Sequence, residues 1–562
     1  MSVLGRKWEV VESVKGDFIK HLLAQRGVKT QKDTEKFLKP DYTEQTHDPY
    51  LLKGMKKAVQ LIEQEIHNKS HFLIYGDYDA DGVCASVILQ DTLTVLGAEK
   101  VSVYIPHRQE EGYGMNKQAL DNAFHSGVDV VITVDCGSTN FDEAQHCKEL
   151  GMKLIITDHH TVLDTTPQCN AFINPHQKGD KYPFKDIAGT TVAFKLACAL
   201  LTHYRKTHKD KQLPIQGWEK WFLDLVALAT ITDVMPVVGE NRVLVKYGLL
   251  VLSKTRRIGL QALMTVCNIS SNAHLSSFTL GFLLGPRINA AGRMSHANIA
   301  FNLLNAKVKQ DAYVLARKIN TLNTERKKVV EDILEEIQDK EFKNKEAIVL
   351  GSEHWPVGVL GIVAGRLCDT YQKPAFIYQR QHTNIVGSAR TPHNFNTVHI
   401  LEQCSSLLKK FGGHAQAGGF TAPCNNEEDF QHQIITTAKK ITPEEFIPVL
   451  SIDYELKETN IPDELYTTLQ QLEPFGEGNQ EPVFLMKGVV LQNQETVGRK
   501  QSHLKLYLNN NGVVYSAIGF GFAFCSEQLS VGEKIDVAFC LRVSNDNNHT
   551  LELIDINIHN ES

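Results

Sequence analysis

The chain holds 562 residues, 42% of them hydrophobic and 22% charged, with a formal net charge of −6 at pH 7. That length allows three or four domains with a sizeable core, and that balance describes a folded globular protein, not a disordered one. No run of roughly 18 or more apolar residues occurs, which excludes a membrane-spanning helix, and the opening MSVLGRKWEVVESVKGDF lacks the apolar stretch of a secretory signal.

The charge is unevenly spread. Residues 451–562 hold 16 acids against 7 bases, which leaves 49 acids and 52 bases in the rest of the chain. The 11 cysteines are scattered with no C-x-x-C pair, so neither a disulfide framework nor a zinc ribbon is expected. A reducing, cytoplasmic setting follows from that usage.

Residues 1–65 are polar with helical spacing and are expected to form an N-terminal helical segment. HFLIYGDYDADG then reads as an apolar strand breaking into an acidic, Gly-bounded loop, followed by a helix over 83–97. VSVYIP is a second strand, 116–126 a helix, VDVVITVDCGS a third strand and MKLIITDHH a fourth. Strands alternating with helices predict an α/β fold with a mostly parallel sheet over 66–305, its second half largely helical. Arg293 to Leu350 contains no Gly or Pro, and apolar residues recur there at three- and four-residue steps. A long connector helix is therefore expected within 306–342. An α/β pattern restarts over 343–448, beginning EAIVLGSEHWPVGVLGIVAGRLCDTY. Over 449–562 about five short strands predict a small β-barrel of the OB type.

The chemistry gathers at strand ends. Asp77, Asp79 and Asp81 stand at i, i+2 and i+4 just past the first strand. Carboxylates that close raise one another's pKa unless a cation neutralises them, and oxygen-rich sites suit hard divalent ions. Asp135 closes the third strand; Asp158, His159 and His160 close the fourth; Asp233 follows the apolar LVALATITD. Mixed carboxylate and imidazole donors at one sheet edge favour Mn²⁺ or a similar ion over Ca²⁺.

GDYDADG, VDCG, DHH and Asp233, in that order, resemble the four motifs of the DHH phosphoesterase superfamily. GPRINAAGRM, GVLGIVAGRL, GSAR, FGGHAQAGGF and EPFGEGNQEPVF are similar to its branch of bacterial single-strand-specific 5′→3′ DNA exonucleases, over nearly the whole chain. The resemblance implies a DHH catalytic domain, a second α/β DHH-associated domain and the OB-type barrel. It implies a two-metal site for Mn²⁺ or Mg²⁺. Asp79 and Asp135, with Asp77, would hold one ion; Asp81, Asp135, His159 and Asp233 would hold the other; His160 would contact the scissile phosphate. Tyr75 departs from the pattern, standing where many superfamily members carry a His.

Arg108, Ser388 and Arg390 are expected to recognise a terminal 5′-phosphate, since Arg forks onto phosphate bidentately. Arg287, Asn289 and Arg293 are expected to clamp backbone phosphates, and Gly412, Gly413 and His414 to allow close approach in the second lobe. A narrow cleft would admit one strand, and the barrel would stack bases on Tyr507, Tyr515, Phe520 or Phe522, beside a basic patch of Arg499, Lys500, His503 and Lys505. The implied activity is release of 5′-mononucleotides from single-stranded DNA in recombination and repair, mismatch repair included, alongside a helicase and a single-strand-binding protein. The alternative is a short-oligonucleotide or cyclic-dinucleotide phosphodiesterase of the same superfamily. A non-catalytic scaffold is disfavoured by the intact ligand set, and a zinc hydrolase by the absence of H-E-x-x-H.

Overall fold

The computed structural model describes residues 2–11, 18–209, 212–337, 342, 345–441, 448–457, 459–498, 500–543 and 549–558. The chain divides into two compact units, one of Met1–Asp41 with Pro443–Ser562, the other of Tyr42–Thr442.

In the larger unit five parallel strands form the first sheet: β1 (His71–Gly76), β2 (Lys100–Tyr104), β3 (Val130–Val134), β4 (Lys153–Thr157) and β5 (Ala171–Ile173). Their order is β2-β1-β3-β4-β5. Runs such as VVITV are apolar at every position because both faces are covered, as parallel sheets require. Phe72, Ile74, Val130 and Ile132 face one helical layer, while Leu73, Tyr75, Val131 and Ile156 face the other with Met115, Leu120 and Cys147. Three helices matter for the site: α1 (Ala80–Leu96), α2 (Gly189–Thr207) and α3 (Leu223–Thr232). All three are buried over most of their length, so they hold strand ends and helix ends in fixed register.

Helix α4 (Gly285–Met294) carries GPRINAAGRM and leads towards α5 (Lys309–Glu336), the long connector. Ala312, Ala316 and Ile319 of α5 join the core of the first lobe, and Val330 and Ile333 that of the second. Asn323 lies buried between these two stripes. The second lobe is a five-stranded mixed sheet, β6 (Ile348–Ser352), β7 (Ala375–Arg380), β8 (Asn384–Arg390), β9 (Lys410–His414) and β10 (Ala417–Pro423), ordered β9-β10-β8-β7-β6. Helix α6 (Val357–Tyr371) packs on it. The Gly-rich FGGHAQAGGF becomes an antiparallel hairpin of β9 and β10.

The smaller unit contains the barrel. Strands Phe484–Val497, His503–Asn510, Val513–Gly519, Lys534–Val543 and His549–Ile558 close on themselves through pairing of the first with the fourth. The expected N-terminal helical segment 1–65 is divided between the units and begins with a strand. Lys7–Val10 pairs in parallel with Val449–Ile452, because the alternating WEV stretch finds an open edge there. Leu22, Leu23 and Phe37 enter the barrel core. Among the described residues, no helix is long and apolar enough to cross a membrane.

Candidate metal centre

The acidic loop after β1 is locked from three sides. Asp79 is the N-cap of α1; its Oδ1 accepts the N–H groups of Asp81 (2.9 Å) and Gly82 (3.2 Å). Asn289 Oδ1 accepts the Ala80 N–H at 2.7 Å. Asp81, in the first turn of α1, takes the N–H groups of Gly189 and Thr190, both at 2.7 Å, on its two carboxylate oxygens. These are the first amides of α2, so a helix N-terminus holds this anion. Asp135 follows β3 with φ of +62°, a left-handed conformation that aims its carboxylate back over the sheet edge. A Cβ on Gly189 would lie 2.7 Å from the Asp135 side chain, so only glycine fits there. Asp233 closes α3, followed by Val234 at φ +56°, a strained position for a β-branched residue.

These elements bring the six expected metal donors together with His160. His159 Nε2 lies 3.1 Å from Asp135 Oδ1, 3.6 Å from Asp233 Oδ2 and 3.7 Å from Asp81 Oδ2. Three donor groups have ligand atoms within 4.8 Å of one another: Asp77, Asp79 and Asp135; Asp81, His159 and Asp233; and Asp135, His159 and His160. Asp135 belongs to two of them.

Burial, reinforced by neighbouring carboxylates, drives the carboxyls of Asp77, Asp79, Asp135 and Asp233 above the ordinary carboxylate range. Among the described residues, buried Asp77 Oδ1, Asp135 Oδ1, Asp233 Oδ2 and His159 Nε2 have no hydrogen-bond partner. Buried polar atoms are rarely left so unless something else occupies them. Five carboxylates and an imidazole, with lone pairs converging and unclaimed, fit divalent cations of the Mn²⁺ or Mg²⁺ type.

Asp158 plays a part that its place in the motif does not reveal. Its Oδ1 accepts the His159 N–H (2.7 Å) and contacts His160 Nδ1 (2.8 Å), while Oδ2 accepts the Ser138 N–H (2.9 Å). Burial would raise its carboxyl, but His160 and these donors hold it low. Burial opposes charge on His160, yet the Asp158 hydrogen bond outweighs it and pushes His160 up to about 9. Tyr113 Oη, 3.0 Å from His160 Nδ1, completes the orienting pair. Tyr75 is fully buried and donates to Gly114 O at 3.2 Å, so it serves the core.

The expected phosphate contacts lie around this centre. Arg108 sits over the Tyr78 ring at 4.7 Å, and its charge reaches Asp77 and Asp79. Arg390 Nη1 donates to Ser388 Oγ (3.3 Å) and Ala389 O (2.8 Å). Arg293 Nη1 donates to Gly358 O at 3.1 Å, joining α4 to α6. Burial and then the Arg108 charge depress both Arg293 and Arg390. Gly361 lets Ser388 and Arg390 lie against α6, where a Cβ would stand 3.0 Å from Ser388 Oγ. Gly412, Gly413 and His414 lie on β9, and the His414 ring stacks 6.4 Å from that of His160. Asn289 is turned to Ala80 and so positions α1, and Arg287 Nε donates to Asn320 Oδ1 at 2.9 Å. Sequence reading missed Gly189 and Thr190 because a lone Gly-Thr before a helix looks like any other helix start.

In the barrel Tyr515 and Phe522 are core residues, which removes them as stacking surfaces. Tyr507 is half-buried under Lys505, while Phe520 is exposed. Phe524, not singled out from the sequence, is exposed as well. Lys505 is paired with Glu495 at 3.3 Å, and Arg499 lies outside the described residues.

The fold and this donor set define a DHH-type metal-dependent phosphoesterase. Family models agree: the DHH family N-terminal domain matches residues 71–230, the DHHA1 domain 344–440 and the RecJ OB domain 452–554. The single-stranded-DNA-specific exonuclease RecJ of Bacillus subtilis is 35% identical over 94% of this chain and 66% of its own length. This chain therefore spans just under two thirds of that relative. The Haemophilus influenzae protein of the same name is 34% identical over 84% of each chain. The crystal structure of Thermus thermophilus RecJ in complex with Mn²⁺ superposes with a TM-score of 0.83 at 27% identity, covering 99% of this chain and 80% of that one. A Mg²⁺ complex of the same protein gives 0.77 at 25% identity, covering 99% of this chain and 79% of that one. The chain belongs to the RecJ family.

Proposed function

We propose that this protein is a single-stranded-DNA-specific exonuclease that hydrolyses phosphodiesters from the 5′ end and releases 5′-mononucleotides. The observation that carries the reading is the pair of donor groups sharing Asp135, with Arg108, Arg293 and Arg390 nearby, none of them in an ion pair among the described residues. Asp77, Asp79 and Asp135 would hold one divalent ion, and Asp81, Asp135, His159 and Asp233 the other. Bound there, the ions supply Lewis-acid charge that activates water and neutralises the developing phosphoryl anion. The chain's own residues orient the ester. His160, fixed by Asp158 and Tyr113, offers a cationic N–H to the scissile phosphate, and Arg293 neutralises the backbone beside it. Arg108, Ser388 and Arg390 receive the terminal 5′-phosphate, and Gly412, Gly413 and His414 admit it closely. Exposed Phe520 and Phe524 suit base stacking in the barrel. On this reading the protein works in the cytoplasm in recombination and repair, mismatch repair included, with a helicase and a single-strand-binding protein.

Digestion of 5′- and 3′-labelled single- and double-stranded DNA with Mn²⁺ or Mg²⁺ tests polarity, strand choice and cofactor together. Mononucleotides should leave single strands from the 5′ end. Attack on dinucleotides but not on long strands would instead support the short-oligonucleotide alternative. Arg390→Ala should lower the preference for 5′-phosphorylated over 5′-hydroxyl ends about tenfold or more; an unchanged preference places the end pocket elsewhere.

A further inference from the structure

Arg108 and Tyr113 reach the metal centre from one loop, 105–116, between β2 and the helix Lys117–His125. Arg108 lies over the Tyr78 ring, while Tyr113 Oη stands 3.0 Å from His160 Nδ1 and donates to Asp135 O at 3.3 Å. The loop contains Gly112 at φ +79° and Gly114 at φ +88°. Such a stretch has little conformational preference of its own, so side-chain contacts must set its path.

Glu111 makes those contacts. Its Oε2 accepts the N–H of His107, the residue before Arg108, at 2.5 Å. Its Oε1 accepts the Tyr104 hydroxyl at the end of β2, and also Asn116 Nδ2, at 2.9 Å, from the N-cap of the following helix. Its own N–H donates to His107 O at 2.9 Å. Burial would raise the Glu111 carboxyl, but the His107 amide, Tyr104 and Asn116 hold it below its ordinary range. The bonds it accepts are therefore charge-assisted, the stronger kind.

The elements on either side stand without Glu111. Asn116 Oδ1 caps its helix by accepting the Ala119 N–H at 2.7 Å, and β2 is paired with β1 along its whole length. The far end of the loop is held separately, since Asn140 Oδ1 accepts the Met115 N–H at 3.2 Å and Tyr75 Oη donates to Gly114 O. What depends on Glu111 is the stretch 107–111, and with it the direction in which Arg108 leaves the backbone and the start of the turn that delivers Tyr113.

We propose that Glu111 is a positioning residue of the exonuclease, tying this loop so that a single turn presents Arg108 to the terminal phosphate and Tyr113 to His160. The proposal rests on the exonuclease reading and deepens it: recognition of the strand end and orientation of the reacting phosphate then depend on one carboxylate that touches neither.

The test uses the full chain with Mn²⁺ and single strands carrying either a 5′-phosphate or a 5′-hydroxyl. Glu111→Ala should lower kcat/KM on phosphorylated strands about 10- to 100-fold, the scale of a misplacement of about 1 Å. KM should rise through Arg108 and kcat fall through Tyr113. The preference for phosphorylated ends should drop about tenfold in Glu111→Ala, and should drop no further when Glu111→Ala is added to Arg108→Ala. Glu111→Ala should likewise cost less kcat on top of Tyr113→Phe than alone. Glu111→Gln, which keeps an acceptor for the His107 amide, should recover much of the loss. The Mn²⁺ concentration for half-maximal turnover should not move, because no metal donor is altered. Trypsin cleavage after Arg108, read by mass spectrometry on the metal-free protein, should rise in Glu111→Ala and far less in Glu111→Gln. An unchanged end preference in Glu111→Ala overturns the proposal even where trypsin cleavage rises, because Glu111 then serves the fold alone. A loss of preference as large in the Arg108→Ala background as in the wild type overturns it too. Failure of the unmutated protein to release nucleotides from 5′ ends overturns the exonuclease reading, and this proposal with it.

Discussion

Asp135 carries two burdens at once: a left-handed backbone and a buried carboxylate pressed against others of like charge. Asn tolerates that backbone and removes the charge. Asp135→Asn should therefore raise the melting temperature of the metal-free protein by ~1–2 °C, about 1 kcal/mol of relieved repulsion. It should also lower nucleotide release at least about a thousandfold, since one residue serves both donor groups. Calorimetry with and without Mn²⁺ checks both halves, because ion binding should stabilise the wild type and not the variant. A variant that turns over normally removes Asp135 from the centre. At this scale part of the geometry was legible: Asp77, Asp135 and His159 come just after apolar strand runs, so a one-dimensional pattern reports their place at the sheet edge, whereas Asp233 closes a helix. Asn289 was less so, because nothing local distinguishes a phosphate clamp from the acceptor of a distant helix's first amide.

Among the elements, the N-terminus of α2 acts as an anion holder for Asp81, and Gly189 is what lets it come so close. Gly189→Ala should push Asp81 or Asp135 out of place and lower turnover about 10- to 100-fold, partly recovered at high Mn²⁺. Turnover measured against Mn²⁺ concentration decides this, and an unaltered profile would count against the close packing. The barrel offers a paired contrast. Phe520→Ala should weaken single-strand binding by about 1–3 kcal/mol at unchanged melting temperature. Tyr515→Ala should instead lower the melting temperature, since its buried Oη accepts from Ile461 N at 3.0 Å and donates to Thr459 O at 3.1 Å. The five barrel strands were legible from alternation alone. Which of Phe520 and Phe522 points inwards was not, because the turn after Gly519 resets the register.

For the whole molecule, the lesson concerns the first 41 residues. They read as polar helix, and no local signal ties them to strands some 440 residues away; only the tertiary structure shows the pairing with Val449–Ile452. Deleting residues 2–41 should strip Leu22, Leu23 and Phe37 from the barrel core, at roughly 2–5 kcal/mol for each large side chain. Calorimetry of the truncated chain should show the barrel transition lowered or lost while that of Tyr42–Thr442 persists. An unchanged thermogram would mean that the barrel stands without its N-terminal strand.

That pairing also sets a timetable. Domains ordinarily fold in the order in which they leave the ribosome. Here the opening segment cannot find its partners until roughly 400 more residues have been made, about 20 to 80 s at ~5–20 residues per second. The unit Tyr42–Thr442 can be complete while an unpaired strand edge and three large apolar side chains still wait ahead of it in the chain. Expression conditions that slow synthesis should therefore expose this segment, more than any other, to chaperones and proteases.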